Sequence, residues 1–130
     1  MKRILLADDQ RHVIRVLVQS LERDGYQVEW VLDGEAALQS IRKDPPDVLI
    51  TDIDMPRMNG EELCRRIREE MPQRRFRIYV MTSRTELEHR AWAAEMENLE
   101  FFEKPVSLRR LSGLLFDYFS GPAVRRGETA

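Results

Sequence analysis

Three carboxylates, a threonine and a lysine stand where segments of this chain change character. Asp8 and Asp9 follow an apolar run at 4–7, Asp52 follows one at 48–51, Thr82 follows one at 78–81, and Lys104 comes directly after Leu99–Glu103. If those runs lie side by side and point the same way, all five side chains gather at one end. Clustered carboxylates do not stay ionised unaided. At about 4 Å and an effective dielectric of about 20, each pair repels by roughly 4 kcal/mol. Such a cluster protonates or holds a cation, and carboxylates with water and a backbone carbonyl suit Mg²⁺. Metal, ammonium and hydroxyl are what the charged oxygens of a phosphoryl group need. A carboxylate that attacks phosphorus gives an acyl phosphate. Each residue alone has a plainer use. Asp8 or Asp9 could open a helix, where the dipole favours negative charge. Thr82 could merely end a strand, and Lys104 could be a solvated charge. The coincidence at four strand ends is what points to a site.

The elements that must position these residues are legible from patterning. The runs 4–7, 48–51 and 78–81 are apolar and rich in β-branched residues, as strands buried on both faces of a parallel sheet are. Gln27–Val31 and Leu99–Glu103 are interrupted by Glu29, Glu100 and Glu103, which suits the rims of a sheet. Helical patterns lie between. The first carries Val13, Ile14, Leu17, Val18 and Leu21 on one face and stops at Gly25. The second runs from about Glu35 to Lys43, before Pro45 and Pro46. The third opens at Asn59 with Glu62 three residues on, and the fourth at Thr85 with Glu88, both capping-box spacings. The fifth starts near Ser107 and turns Leu108, Leu111, Leu115 and Phe119 inward. Five βα units in succession predict a doubly wound α/β fold, a five-stranded parallel sheet with helices on both faces. Its working site belongs at the carboxyl ends of the strands. The expected domain is 1–120, with 121–130 a flexible tail or the start of a linker.

A length of 130 residues fits one domain, and 42% hydrophobic with 34% charged residues fits an ordinary globular protein. The formal net charge of -2 supplies no global field toward nucleic acid or anionic lipid. No run approaches the ~18 apolar residues of a membrane span. One cysteine, Cys64, gives no internal disulfide and no zinc pattern, so a reducing cytoplasm is the simplest setting.

Five segments in order carry a family resemblance. They are Ile4-Leu5-Leu6-Ala7-Asp8-Asp9, Asp47-Val48-Leu49-Ile50-Thr51-Asp52, Asp54-Met55-Pro56-Arg57-Met58-Asn59-Gly60, Val80-Met81-Thr82-Ser83 and Phe101-Phe102-Glu103-Lys104-Pro105. Together they resemble the receiver domains of two-component signalling over residues 2–119. That resemblance implies the flavodoxin-like strand order 2-1-3-4-5. It implies Asp52 as phosphoacceptor and Asp9 as the direct Mg²⁺ ligand beside it. Asp8 would act largely through water, and the backbone carbonyl of Asp54 would be a further ligand. Lys104 would pair with the phosphoryl group across a cis bond to Pro105. Thr82 would swing toward the phosphate, and Phe101 would rotate to reshape a face made by the fourth helix, the fifth strand and the fifth helix. The donor would be a sensor histidine kinase or a histidine phosphotransfer protein. The chain would be a switch that assists its own phosphorylation rather than an enzyme. Asp54 and Arg84 would flank the water that ends the signal.

Two departures stand out. Most relatives have Ala-Gly-Ala before the fifth strand, where this chain has Met96-Glu97-Asn98; glycine usually handles the turn at φ > 0 there, and Asn98 could do so at some cost. Phe101 has no hydroxyl, so its signal would be steric. The apolar excess of the fifth helix, with Leu114 and Phe116 on opposite flanks of its stripe, suggests a homodimer through the face named above. Arg65, Arg66, Arg68, Arg74, Arg75 and Arg77 interleave with Glu61, Glu62, Glu69 and Glu70, and read as a solvated, paired surface rather than a nucleic-acid patch. Cys64, Trp30 and Trp92 read as packing residues. Two rival functions remain. Asp52-Ile53-Asp54 after an apolar strand also resembles the opening motif of haloacid-dehalogenase phosphatases, which place it at the first strand of a longer, capped chain. A phosphorylation-independent pseudo-receiver would bind partners with the same fold.

Overall fold

The computed structural model describes residues 1–83 and 91–121. Five strands, β1 (Arg3–Ala7), β2 (Gln27–Val31), β3 (Val48–Asp52), β4 (Arg77–Thr82) and β5 (Leu99–Glu103), form one sheet in the order β2-β1-β3-β4-β5. Every neighbouring pair is parallel. The three apolar runs are the central strands and the two glutamate-bearing runs are the edges. The physical reason is burial: β3 is covered on both faces, whereas β2 has only exposed and half-buried positions.

Side chains alternate across the pleat and build two cores. Leu5, Ala7, Leu49, Ile78 and Val80 face one side, where α2 (Gly34–Lys43) and α3 (Gly60–Glu70) cover them with Ala37, Leu38, Ile41, Leu63, Cys64 and Ile67. Ile4, Leu6, Val48, Ile50, Tyr79, Met81 and Phe102 face the other. There α1 (Arg11–Arg23) and α4 (Leu108–Ser120) contribute Ile14, Leu17, Leu21, Leu111 and Leu115. Each fully buried leucine or isoleucine contributes roughly 1.5–3 kcal/mol relative to exposure, so both faces are needed to hold the sheet.

The helix boundaries follow from local chemistry. Helix α1 gives way to Gly25 at φ 97, with Gly25 N–H donating to the Glu22 carbonyl. Asp33, Asn59 and Ser107 cap α2, α3 and α4, accepting from the backbone N–H groups of Ala36, Glu62 and Arg110. The sequence's fifth helical pattern is thus α4. The helix start expected at Thr85 lies outside the described residues. What is described ahead of β5 is a 3₁₀ turn at 91–95. Of the proposed tail, 122–130 likewise lies outside the described residues.

Asn98 takes the positive-φ position before β5, at φ 55. Its side chain accepts from Arg77 at 2.8 Å and donates to the Arg75 carbonyl at 3.3 Å, so local hydrogen bonds offset the conformation that glycine would adopt freely. The basic stretch is paired: Arg65 with Glu61, Arg66 with Glu70, Arg68 with Glu95. Cys64 is fully buried in the α3 core, and burial pushes its thiol up to about 12. Trp92 is half-buried, but Trp30 on the edge strand β2 is 46% exposed. Among the described residues no helix is long and apolar enough to cross a membrane.

Candidate functional site

Parallel register brings the chemistry-bearing residues to one end of the sheet. β1 and β3 run in step from Ile4 opposite Val48 to Ala7 opposite Thr51, so Asp8 and Asp52 leave adjacent strands together. Carboxylate oxygens of Asp8, Asp9 and Asp52 lie within 4.8 Å of one another. Asp8 is 0% and Asp52 4% exposed, while Asp9 reaches solvent. One Asp8 oxygen accepts from the Gln10 N–H at 2.9 Å; the other, Oδ2, is buried with no hydrogen-bond partner. Asp52 Oδ1 accepts from the Ile53 N–H at 2.8 Å, and Oδ2 stands 3.0 Å from the Lys104 ammonium.

Burial controls the electrostatics. It pushes Asp52 up to about 6 despite the lysine, and the negative charge of Asp8 adds to the rise. Burial also raises Asp8, against the Gln10 N–H, which favours the ionised form. Two buried acids facing one ammonium group form an acceptor-rich pocket short of positive charge. An orphaned carboxylate oxygen costs free energy unless something donates to it or a cation sits on it. Hard oxygen donors of this kind fit Mg²⁺, which keeps several waters of its own.

The remaining expected residues do not all join this pocket. Thr82 closes β4, fully buried, and its hydroxyl donates to the Ser83 carbonyl at 3.1 Å. The Lys104 N–H donates to the Thr82 carbonyl at 2.8 Å, tying the two strand ends together, and the Lys104–Pro105 bond is cis. Asp54 follows Ile53 on the loop between β3 and α3 with its side chain exposed. Phe101 lies outside the carboxylate group. It is half-buried on β5 opposite Val80, edge-on to Trp92 with centroids 5.9 Å apart. Arg84 lies outside the described residues.

Sequence reasoning missed how the loop 53–59 is held. The Gly60 N–H donates to the Ile53 carbonyl at 2.7 Å, and a Cβ on Gly60 would sit 2.3 Å from the Asp52 carbonyl oxygen. A Cβ on Gly34 would sit 2.1 Å from the Met58 carbonyl oxygen. Glycine at both places lets backbones touch. Asp33-Gly34 directly before an amphipathic pattern was the available cue, as a helix start.

The geometry agrees with what comparison finds. The family description "response regulator receiver domain" matches residues 4–115. The response regulator MprA of Mycobacterium leprae is 37% identical over 112 residues, 84% of this chain and 47% of that protein. The alkaline phosphatase synthesis transcriptional regulatory protein PhoP of Bacillus subtilis is 31% identical over 111 residues, 85% of this chain and 45% of that protein. The chain therefore spans about half the length of these curated relatives. A CheY-like receiver domain protein from Methanospirillum hungatei superposes with a TM-score of 0.83 at 26% identity, covering 92% of this chain and 94% of that one. With strand order, carboxylate cluster and lysine all in place, the chain belongs to the response regulator receiver domain family of two-component signalling.

Proposed function

We propose that this domain is a phosphorylation switch in which Asp52 accepts a phosphoryl group with the help of Mg²⁺. The observation that carries this reading is the pairing of a buried carboxylate, 3.0 Å from the Lys104 ammonium, with the unpartnered Oδ2 of Asp8. Asp8, Asp9, Asp52 and the backbone carbonyl of Asp54 would hold the ion, which when bound neutralises the carboxylates and the charge on phosphoryl oxygens. The rest is done by this chain's own groups. An Asp52 oxygen attacks phosphorus as the donor's phosphorus–nitrogen bond breaks, leaving an acyl phosphate on Asp52 and the imidazole of the donor histidine. Lys104 exchanges its carboxylate partner for a phosphoryl oxygen. The Thr82 hydroxyl turns from the Ser83 carbonyl toward the new phosphate, and Phe101 moves inward from Trp92.

The partner is a sensor histidine kinase or histidine phosphotransfer protein, the setting is the cytoplasm, and the domain occupies 1–120. The responding face includes β5 and α4. Phe116 on α4 is 65% exposed, whereas Leu114 packs partly against the core, which supports Phe116 as the flank open to a second copy. Sedimentation velocity with and without beryllofluoride reads that association, and a monomer in both states contradicts it. The switch itself is tested with acetyl phosphate. A phosphoryl adduct should appear by intact mass with Mg²⁺, and neither with EDTA nor in Asp52→Asn. An equal adduct in Asp52→Asn excludes this acceptor, and steady turnover of phosphate esters would favour a phosphatase instead.

A further inference from the structure

The loop 53–59 carries Asp54 and borders the carboxylate pocket, and its tip is fastened to a different part of the fold. Arg57 sits at φ 66, a left-handed conformation that an arginine adopts only when its surroundings compensate. Its guanidinium provides that compensation. Nε donates to Asp33 Oδ2 at 2.9 Å, and a second nitrogen stands 2.8 Å from the same oxygen. The other Asp33 oxygen accepts from the Ala36 N–H at 2.7 Å, so one buried carboxylate both caps α2 and grips the loop. One residue on, the Gly34 N–H donates to the Met58 carbonyl at 3.1 Å, where only glycine leaves room. Met55 and Met58 sink into the core under α2 and α3. The base of the loop is closed by the Gly60 to Ile53 hydrogen bond at 2.7 Å. The loop is therefore fixed at base and tip, with Asp54 between the two fastenings.

We propose that the Arg57–Asp33 pair is a positioning device that aims the Asp54 backbone carbonyl at the Mg²⁺ pocket. This rests on the reading that the pocket holds Mg²⁺. Because the Arg57 side chain is largely exposed although Asp33 is buried, the pair contributes little to global stability. Its effect here is local: it holds the peptide unit of a ligand in one orientation before the ion arrives, as groups behind metal ligands do. The Ala36 N–H and then Arg57 hold the Asp33 carboxyl below its ordinary value, so it stays ionised and the grip persists at neutral pH.

The test separates aim from stability. Arg57→Gly removes the guanidinium and relieves the left-handed conformation. Asp33→Asn keeps an oxygen to cap α2 and removes the charge. MgCl₂ titrated calorimetrically into the whole chain should bind about tenfold more weakly in each variant. Urea midpoints should not fall in Arg57→Gly, and the double variant should bind no more weakly than the singles, because the two residues act as one unit. Parent-like Mg²⁺ affinity in either single variant overturns the proposal. So does a loss of affinity that merely follows a loss of stability, since the pair would then only support the fold. An absence of Mg²⁺ binding to the parent chain overturns the functional reading itself, a result distinct from both.

Discussion

Strand β1 carries charge at both ends, and the two ends handle it differently. At the amino end, Arg3 meets the Pro45 carbonyl at 3.0 Å, Glu29 at 2.9 Å and Asp44 at 3.3 Å, and its N–H donates to Asp47 at 2.7 Å. Nearby, at the same end of the sheet, the half-buried Arg74 guanidinium donates to the carbonyls of Phe76, Glu97 and Asn98. At the carboxyl end, Asp8 keeps an unpartnered oxygen, and Asp52 is pushed up to about 6 by burial while facing a single ammonium. One end is largely paired and quiet, although the Arg77 Nε there is buried without a hydrogen-bond partner. The other holds unfavourable electrostatics in reserve for a ligand.

The contrast is broken most strongly at Asp52. Its folded-state value is raised from 3.8 to about 6, so the folded chain holds a proton that the unfolded chain releases first. Stability from this group is therefore full below about pH 4 and declines as pH rises through about 6. Without metal at pH 7.5, Asp52→Asn should be more stable than the parent by on the order of 2–3 kcal/mol. The advantage should shrink as the pH falls below about 6. Asp33 is shifted downward, and its contribution runs the opposite way, lost in acid. The difference between variant and parent in urea titrations removes that background. A variant no more stable than the parent would mean that Asp52 is not held at electrostatic expense.

A smaller effect sharpens the same comparison. Lys104→Ala leaves Asp52 buried without its cation and should cost about 2 kcal/mol at pH 7.5, less than a fully buried broken pair because the lysine reaches solvent. That cost should shrink as the pH falls toward about 6, because Asp52 takes up its proton more readily without Lys104, and should be gone below it. At the quiet end, Arg3→Ala should cost about 1 kcal/mol, because its ion-pair partners are largely solvated, and should show no such fading near pH 6. Equal costs and equal pH profiles at the two ends would remove the distinction.

Much of this was legible in the sequence because strand ends and burial leave local signatures. Continuous apolar runs marked the central strands, and Asn59 with Glu62 marked the α3 start. The placement of Asp8, Asp52, Thr82 and Lys104 after such runs required only that the strands be parallel. The strand order came from family resemblance rather than periodicity, since a pattern of burial does not say which strand lies beside which. The loop clamp was not legible at all. Arg57 and Asp33 are 24 residues apart, and neither a left-handed arginine nor a glycine under a carbonyl announces its partner. Trp30 was misjudged too. Its type suggests packing, but the side chain stays 46% exposed on β2.

The central claim is that Asp52, among the clustered carboxylates, takes the phosphoryl group. Treating the acetyl-phosphate-labelled chain with hydroxylamine converts an acyl phosphate to a hydroxamate, which peptide mass mapping assigns to a single residue. The hydroxamate should appear at Asp52 alone, and only when Mg²⁺ was present during labelling. A hydroxamate at Asp8, Asp9 or Asp54, or at Asp52 regardless of Mg²⁺, would contradict it.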